Sequence, residues 1–403
     1  MTIQPRTPCG VRCIAVALLL GLLCCFNVEA VAAVSDAEAS EFTCYPGVFM
    51  FGDSRSDVGE VQASQPFIIP SAFPPYGSSY FGRPVTRFSD GRLPIDFLAQ
   101  AFNIPFLSAY LQGINSDFRK GINFAASCGN ARPVQYKGVI FHLQAQVQQY
   151  KWAKHLASDA GAIGDGTISK GPVASSFDQG LHIINIGEND YRKGYFNNLS
   201  YEEVAKSIPD VVGNITLALE NLYESGARKF LVFNIPSEGC KPFLLAQFPG
   251  SSPGDYDRLG CLRAMNNITQ QHNARLKSAV DDIRGKHPDA LFMLADDYGF
   301  NLDLIENPEK YGFKYTIQAC CGVRPTPYNY DPARSCGHPD ATVCSHPSEY
   351  ISWDGTHPTE HQNRLQALAF LSGRFIDPPG ALAGHCKPNF TDFKEQIPVA
   401  DQR

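Results

Sequence analysis

Ser54, Asp354 and His357 are the residues of this chain whose types suit nucleophilic chemistry, and the last two stand three positions apart. A serine hydroxyl is a weak nucleophile near neutral pH and needs a base within hydrogen-bond reach. His357 can take that proton, and a carboxylate can orient its ring and stabilise the imidazolium that forms. An Asp-x-x-His segment in a loop leading into a helix delivers both groups together, which makes Asp354 the natural partner. Each residue also has a plainer reading. Serine is a favoured helix N-cap, so Ser54 alone could simply open a helix. Asn189-Asp190 could form an Asx-turn, and His357 before Pro358 could be a surface turn. Asp53 and Asp57 suit local backbone donors better than the role of triad acid.

The elements that must position these groups follow from periodicity. Short apolar runs at 48–51, 122–126, 181–186, 229–235 and 290–295 lack polar alternation. That pattern suits strands covered on both faces, as in a parallel sheet. Between them, 142–157, 201–223, 256–283 and 361–371 read as helices, with Ser200 and Glu203 spaced as a capping box. Alternating strand and helix predicts an α/β fold, a three-layer α/β/α sandwich with a mainly parallel five-stranded sheet and right-handed crossovers. Ligands of such sheets sit at the carboxyl ends of the strands. Ser54 follows the first run and Asn189 the third, so both are expected on one rim. The proline- and aromatic-rich stretch 65–94 and the cysteine-rich stretch 320–344 read as surface excursions.

Four blocks carry a family resemblance. Phe51-Gly52-Asp53-Ser54-Arg55-Ser56-Asp57-Val58-Gly59 resembles the first block of the GDSL family of SGNH hydrolases, and Trp353-Asp354-Gly355-Thr356-His357-Pro358-Thr359-Glu360 resembles its last. Gly121-Ile122-Asn123-Phe124-Ala125 and Gly187-Glu188-Asn189-Asp190 resemble the two between. The match spans nearly all of the chain after its leader and is most similar to the plant branch. It implies a flavodoxin-like fold and ester hydrolysis with Ser54, His357 and Asp354 as the triad. It also implies an oxyanion hole made of the Ser54 amide, a second-block glycine amide and the Asn189 side chain. Two departures stand out. Arg55 occupies a position where leucine is usual. Cys128 falls where the oxyanion glycine stands, with Gly129 one place later; either amide could serve, and a position needing φ > 0 would favour glycine. Asn234 to Cys240 resembles a further family stretch and reads as a structural strand-to-loop element. Phe67, Phe73, Tyr76, Tyr80 and Phe81 are candidates to line an acyl or aromatic cleft, or to pack beneath the long loop.

Composition bounds the rest. The 403 residues are 44% hydrophobic and 18% charged, with a formal net charge of −6. That excludes a disordered or fibrous chain, and scattered acids argue against nucleic acid as a partner. Residues 1–33 read as a cleaved secretory signal: Arg6 and Arg12, an apolar run over 14–28, then small residues. Residues 34–403 are expected to form a single hydrolase domain with no later membrane span. Of 13 cysteines, four fall in the leader, and the nine that remain should mostly pair in an oxidising compartment, one being left over. Adjacent Cys320-Cys321 and the absence of a C-x-x-C pair argue against zinc. Asn-x-Ser/Thr sequons at Asn198, Asn214, Asn267 and Asn389 agree with export.

The sequence thus points to a secreted, glycosylated carboxylic ester hydrolase acting on a small-molecule ester or lipid, with no cofactor and no metal. An acyltransferase would use the same triad. A secreted binding or defence protein without activity is the reading that Cys128 motivates.

Overall fold

The computed structural model describes residues 44–65, 69–134, 138, 140–163, 170–384 and 386–391. The expected leader and Phe67 lie outside them. The centre is one sheet built from β1 (Val48–Gly52), β2 (Gly121–Asn123), β3 (Leu181–Asn185), β4 (Lys229–Phe233) and β5 (Leu291–Ala295). These five are parallel in the order β5-β4-β3-β1-β2, and Ile376–Asp377 adds a short antiparallel edge beside β5. Among the described residues the sheet therefore has six strands rather than the five expected, because two residues after the helix Glu360–Leu371 pair with Leu294 and Ala295.

The unalternating apolar runs are explained by two cores. Phe49, Phe51, Ile184, Phe230, Val232, Phe292 and Leu294 point to one face, under the helices Leu143–Ile163, Ile208–Glu224 and Arg263–Lys286. Val48, Met50, Ile183, Leu231, Phe233 and Met293 point to the other, with the helices Pro94–Ala101, Asp297–Glu306 and Glu360–Leu371. Phe49 and Phe51 are fully buried, and truncating either to alanine would cost about 3–5 kcal/mol.

Several boundaries moved for local reasons. The segment expected as one helix over 201–223 is two, Tyr201–Ala205 and Ile208–Glu224, with Pro209 in the first turn of the second, where its missing N–H costs least. The Ser200–Glu203 capping box is present: Ser200 Oγ accepts from the Glu203 amide at 3.2 Å, and Glu203 Oε2 from the Ser200 amide at 2.8 Å. The helix expected from residue 256 begins at Arg263, because Asp257 Oδ1 takes the amides of Leu259 and Cys261 and Cys261 is tied to Cys240. β2 stops at Asn123, whose side chain turns away to Ser56 O and the Ala125 amide.

The two excursions are not merely surface loops. Stretch 65–94 buries Tyr76, Arg87, Asp90 and Arg92, and Arg87 grips Asp96 through two bonds of 2.7 Å. Stretch 320–344 is stitched by Cys320–Cys344 and Cys321–Cys336, and its buried cysteines pack with Tyr76 and Trp353. Cys44–Cys386 and Cys240–Cys261 complete the four disulfides of the described residues, and Cys128 is not part of them. No described helix is long and apolar enough to cross a membrane.

Candidate active site

Register puts the reacting rim together. Gly52 pairs with Asn185 at the ends of β1 and β3, so the segments that follow leave the sheet side by side, one the turn carrying Ser54 and the other the start of the helix Glu188–Phe196, which carries Glu188 and Asn189. No helix starts at Ser54; the turn runs on to Gly59, which caps Glu60–Ser64, so the capping role for Ser54 falls away. Asp57 fixes that turn. Its Oδ1 accepts from the amides of Gly59 and Glu60, each at 2.7 Å, and its Oδ2 from the Ser127 amide and hydroxyl at 2.8 and 2.7 Å. Asp190 does not close an Asx-turn but bonds the Ala131 amide at 2.7 Å and Arg132 Nε at 3.0 Å. Both carboxylates thereby tie the second block to its neighbours.

The last block arrives from the opposite end of the chain. The loop after Ser352 closes on itself, with the Trp353 amide bonded to His357 O at 2.7 Å. At Gly355 φ is +92°, and a Cβ would sit 2.5 Å from the Tyr330 ring, so only glycine fits there. This turn aims His357 Nε2 at Ser54 Oγ, 2.8 Å away across 303 residues of sequence. His357 Nδ1 lies 2.7 Å from Asp354 Oδ2, while Asp354 Oδ1 accepts from the amides of Thr356 and His357 at 2.9 and 2.8 Å. Burial works to raise the Asp354 carboxyl, but the facing His357 and these hydrogen bonds outweigh it and hold the group below its ordinary value. A fourth donor is Tyr76, whose hydroxyl bonds Asp354 Oδ2 at 2.9 Å.

The region expected to hold an oxyanion is also assembled. Asn189 Nδ2 donates to Gly129 O at 3.0 Å, which brings its amide beside the second block. Cys128 has φ of +63°, the left-handed conformation that favours glycine. Gly129 is different: its amide donates to Ala126 O at 2.9 Å, and a Cβ would lie 2.8 Å from that same oxygen.

Ser54, Cys128, Asn189 and His357 line one cleft of about 280 Å³, walled by Val61, Ile69, Phe88, Phe196, Phe243 and Tyr330. None of the described aromatics expected there is part of it. Phe73 and Tyr80 are exposed, Phe81 lies under the Arg87 guanidinium, and Tyr76 is buried against Asp354. The walls come instead from segments whose spacing carries no shared signal. No Asp or Glu lines the cleft among the described residues.

Beneath the rim lies a buried ionic cluster. Arg55 reaches Asp297 at 2.6 Å and Glu188 at 3.3 Å; Arg192 and Lys241 each pair with both Glu188 and Glu238. The stretch from Asn234 to Cys240 is thus more than a strand-to-loop connection, because it supplies Glu238. Asp53, buried beside this cluster, is pushed up to about 7 by burial and then by the Glu188 charge, and its Oδ1 accepts from the Arg55 amide at 3.1 Å.

The family model of GDSL-like lipases and acylhydrolases matches residues 48–370, most of the chain and all four blocks. The chain belongs to that family. It is 35% identical over 356 residues to GDSL esterase/lipase LIP-4 of Arabidopsis thaliana, covering 87% of this chain and 92% of that protein. It is 35% identical over 358 residues to GDSL esterase/lipase ENOD8 of Medicago truncatula, covering 85% and 90%. Another relative, 31% identical over 354 residues and covering 84% and 94%, is named alpha-L-fucosidase 3 of Arabidopsis thaliana. Membership makes this GDSL-family chain a hydrolase acting on ester bonds.

Proposed function

We propose that this GDSL-family protein is a secreted carboxylic ester hydrolase that works through an acyl-enzyme on Ser54. The observation that carries the reading is the unbroken hydrogen-bond chain from Ser54 Oγ through His357 to Asp354, opening onto an apolar cleft. Ser54 Oγ attacks the ester carbonyl as its proton passes to His357 Nε2, and Asp354 stabilises the imidazolium. The Ser54 amide, the Cys128 amide and Asn189 Nδ2 receive the oxyanion. Of the two second-block candidates we assign Cys128, because it lines the cleft with Ser54, Asn189 and His357 and Gly129 does not. Collapse expels the alcohol with the proton from His357. Water, deprotonated by His357, then releases the acid. No cofactor enters this scheme.

The mature protein in this reading is one hydrolase domain over 34–403, released from a 1–33 signal. The four disulfides support an oxidising destination. Asn198, Asn267 and Asn389 are exposed, while Asn214 is half-buried with its amide on Asp210 O; all four are assigned as glycan sites. The partner is a small ester or lipid, not a nucleic acid.

Glycoside cleavage calls for a pair of carboxyl groups flanking the bond, and the absence of Asp and Glu from the described cleft lining gives that chemistry no support. The test is release of p-nitrophenol from acetate, butyrate and long-chain esters and from the fucoside, alongside Ser54→Ala. Ester turnover abolished by Ser54→Ala is expected. Ester turnover that survives the substitution refutes the mechanism, and an acyl product formed only with an added alcohol would make the protein an acyltransferase.

A further inference from the structure

Asp354 accepts from four donors among the described residues, and three of them belong to its own turn. The fourth, Tyr76, lies 278 positions upstream and reaches the same Oδ2 that faces the imidazole, at 2.9 Å. It is not there by loose contact. Tyr76 is 3% exposed and set edge-on to both Phe88 and Trp353, and Phe88 in turn lies on the His357 ring with centroids 4.6 Å apart. Burial, and then the Asp354 charge, push ionisation of the phenol well above its ordinary range, so it remains a donor throughout.

We propose that Tyr76 is a positioning residue of the esterase site: its hydroxyl locks the Asp354 carboxylate in the rotamer that meets His357 and takes up part of the charge on Oδ2. This rests on the triad reading above. Two consequences follow. Fixing the carboxylate fixes the ring that must stay 2.8 Å from Ser54 Oγ. Sharing the charge weakens the hold of Oδ2 on the imidazolium, so His357 returns its proton to the leaving alcohol more readily. The other titratable or charged groups lining the two clefts that meet at His357 are Tyr330, Cys128 and Arg192 in one and Arg55 and Lys241 in the other. Both arginines and the lysine are already paired with carboxylates, and none of the five has a described hydrogen bond to Asp354. Among the described residues, Tyr76 is the donor to this carboxylate that comes from outside its own turn.

Tyr76→Phe keeps the ring and removes only the hydroxyl. With active sites counted by a fluorophosphonate probe, kcat on p-nitrophenyl butyrate should fall about tenfold, equivalent to about 1.4 kcal/mol, with KM within about twofold. The acidic limb of kcat/KM should move up by about half a pH unit, since the unshared carboxylate holds the imidazolium more tightly. In an Asp354→Asn background the substitution should cost nothing further. A role in packing alone would lower the number of active sites and leave kcat per site and the limb unchanged, which overturns the proposal. If Tyr76→Phe does not accumulate, 3-fluorotyrosine placed at position 76, a stronger donor, should move the limb down; an unmoved limb again overturns it. A folded wild-type protein that the probe leaves unlabelled at Ser54 sinks the acyl-enzyme reading and this proposal with it.

Discussion

Replacing Arg55 by leucine, the residue usual at that position, exposes how the buried charges beneath the site are balanced. Arg55 is 4% exposed and its Nη1 lies 2.6 Å from Asp297 Oδ2. That is the only ion pair of Asp297 among the described residues, its other partner being the Gln366 amide, whereas Glu188 keeps Arg192 and Lys241. The substitution therefore strands one fully buried carboxylate, at a cost of about 3–5 kcal/mol. Against a typical stability of about 5–15 kcal/mol, that is a large share. At about 1.3 °C per kcal/mol, from an unfolding entropy of about 2.1 cal/mol/K per residue over roughly 360 residues, Tm should drop by about 4–7 °C at pH 8. The pH dependence has a definite sign. Burial raises Asp297 and Arg55 opposes it; with Arg55 gone the folded state holds a proton that the unfolded chain releases above about pH 4. Stability of the variant then falls as pH rises from that value through the raised folded pKa, so its deficit against wild type is largest at pH 8 and shrinks toward pH 5. Thermal unfolding followed by circular dichroism at pH 5, 6.5 and 8 measures this directly. A Tm change under 2 °C at pH 8, or a deficit that widens toward pH 5, refutes the reasoning. Adding Asp297→Asn should restore most of the loss, because the pair is then removed whole.

Cys128→Gly should retain esterase activity, with stability within about 1 kcal/mol of wild type, since relief of the φ of +63° offsets the added freedom of glycine in the unfolded chain. Cys128→Val, β-branched in that conformation, should lower both Tm and kcat; a fully active valine variant would show that the left-handed backbone is dispensable. Asn189→Ala should lower kcat by about 10²–10³ with KM little changed if its amide holds the oxyanion; a change confined to KM would remove it from that role. Cys44→Ser with Cys386→Ser opens a link across 342 residues, and a loss of about 2–5 kcal/mol in denaturant unfolding is expected; a midpoint unchanged from wild type would show that the ends are held by packing alone.

Much of the frame was legible because its signals are local. Apolar runs without polar alternation marked strands covered on both sides, and the five found begin within one residue of those expected. Their ends were less legible. Pro209 split one helix, Asp257 and the Cys240–Cys261 link delayed another, and the side chain of Asn123 ended β2. Each depends on a partner or a turn that periodicity does not encode. Cys128 is an intermediate case: the sequence raised the question of a positive φ, and the backbone answered it.

By itself the sequence determined which reactive groups exist and which of them travel together. Asp354 and His357 share one short turn, so their pairing is built into three residues of spacing. Ser54 and Asn189 each follow an apolar strand, so a parallel sheet must set them on one rim. What met across long separations was decided by tertiary structure alone: Ser54 against His357, Tyr76 on Asp354, the cleft walls, and an ionic cluster drawn from the segments around residues 55, 188–192, 238–241 and 297. The physical reason is that a buried charge or hydroxyl is tolerable only with a partner. Which partner it finds is fixed by how helices and loops pack over the sheet, not by the neighbours it has in the chain.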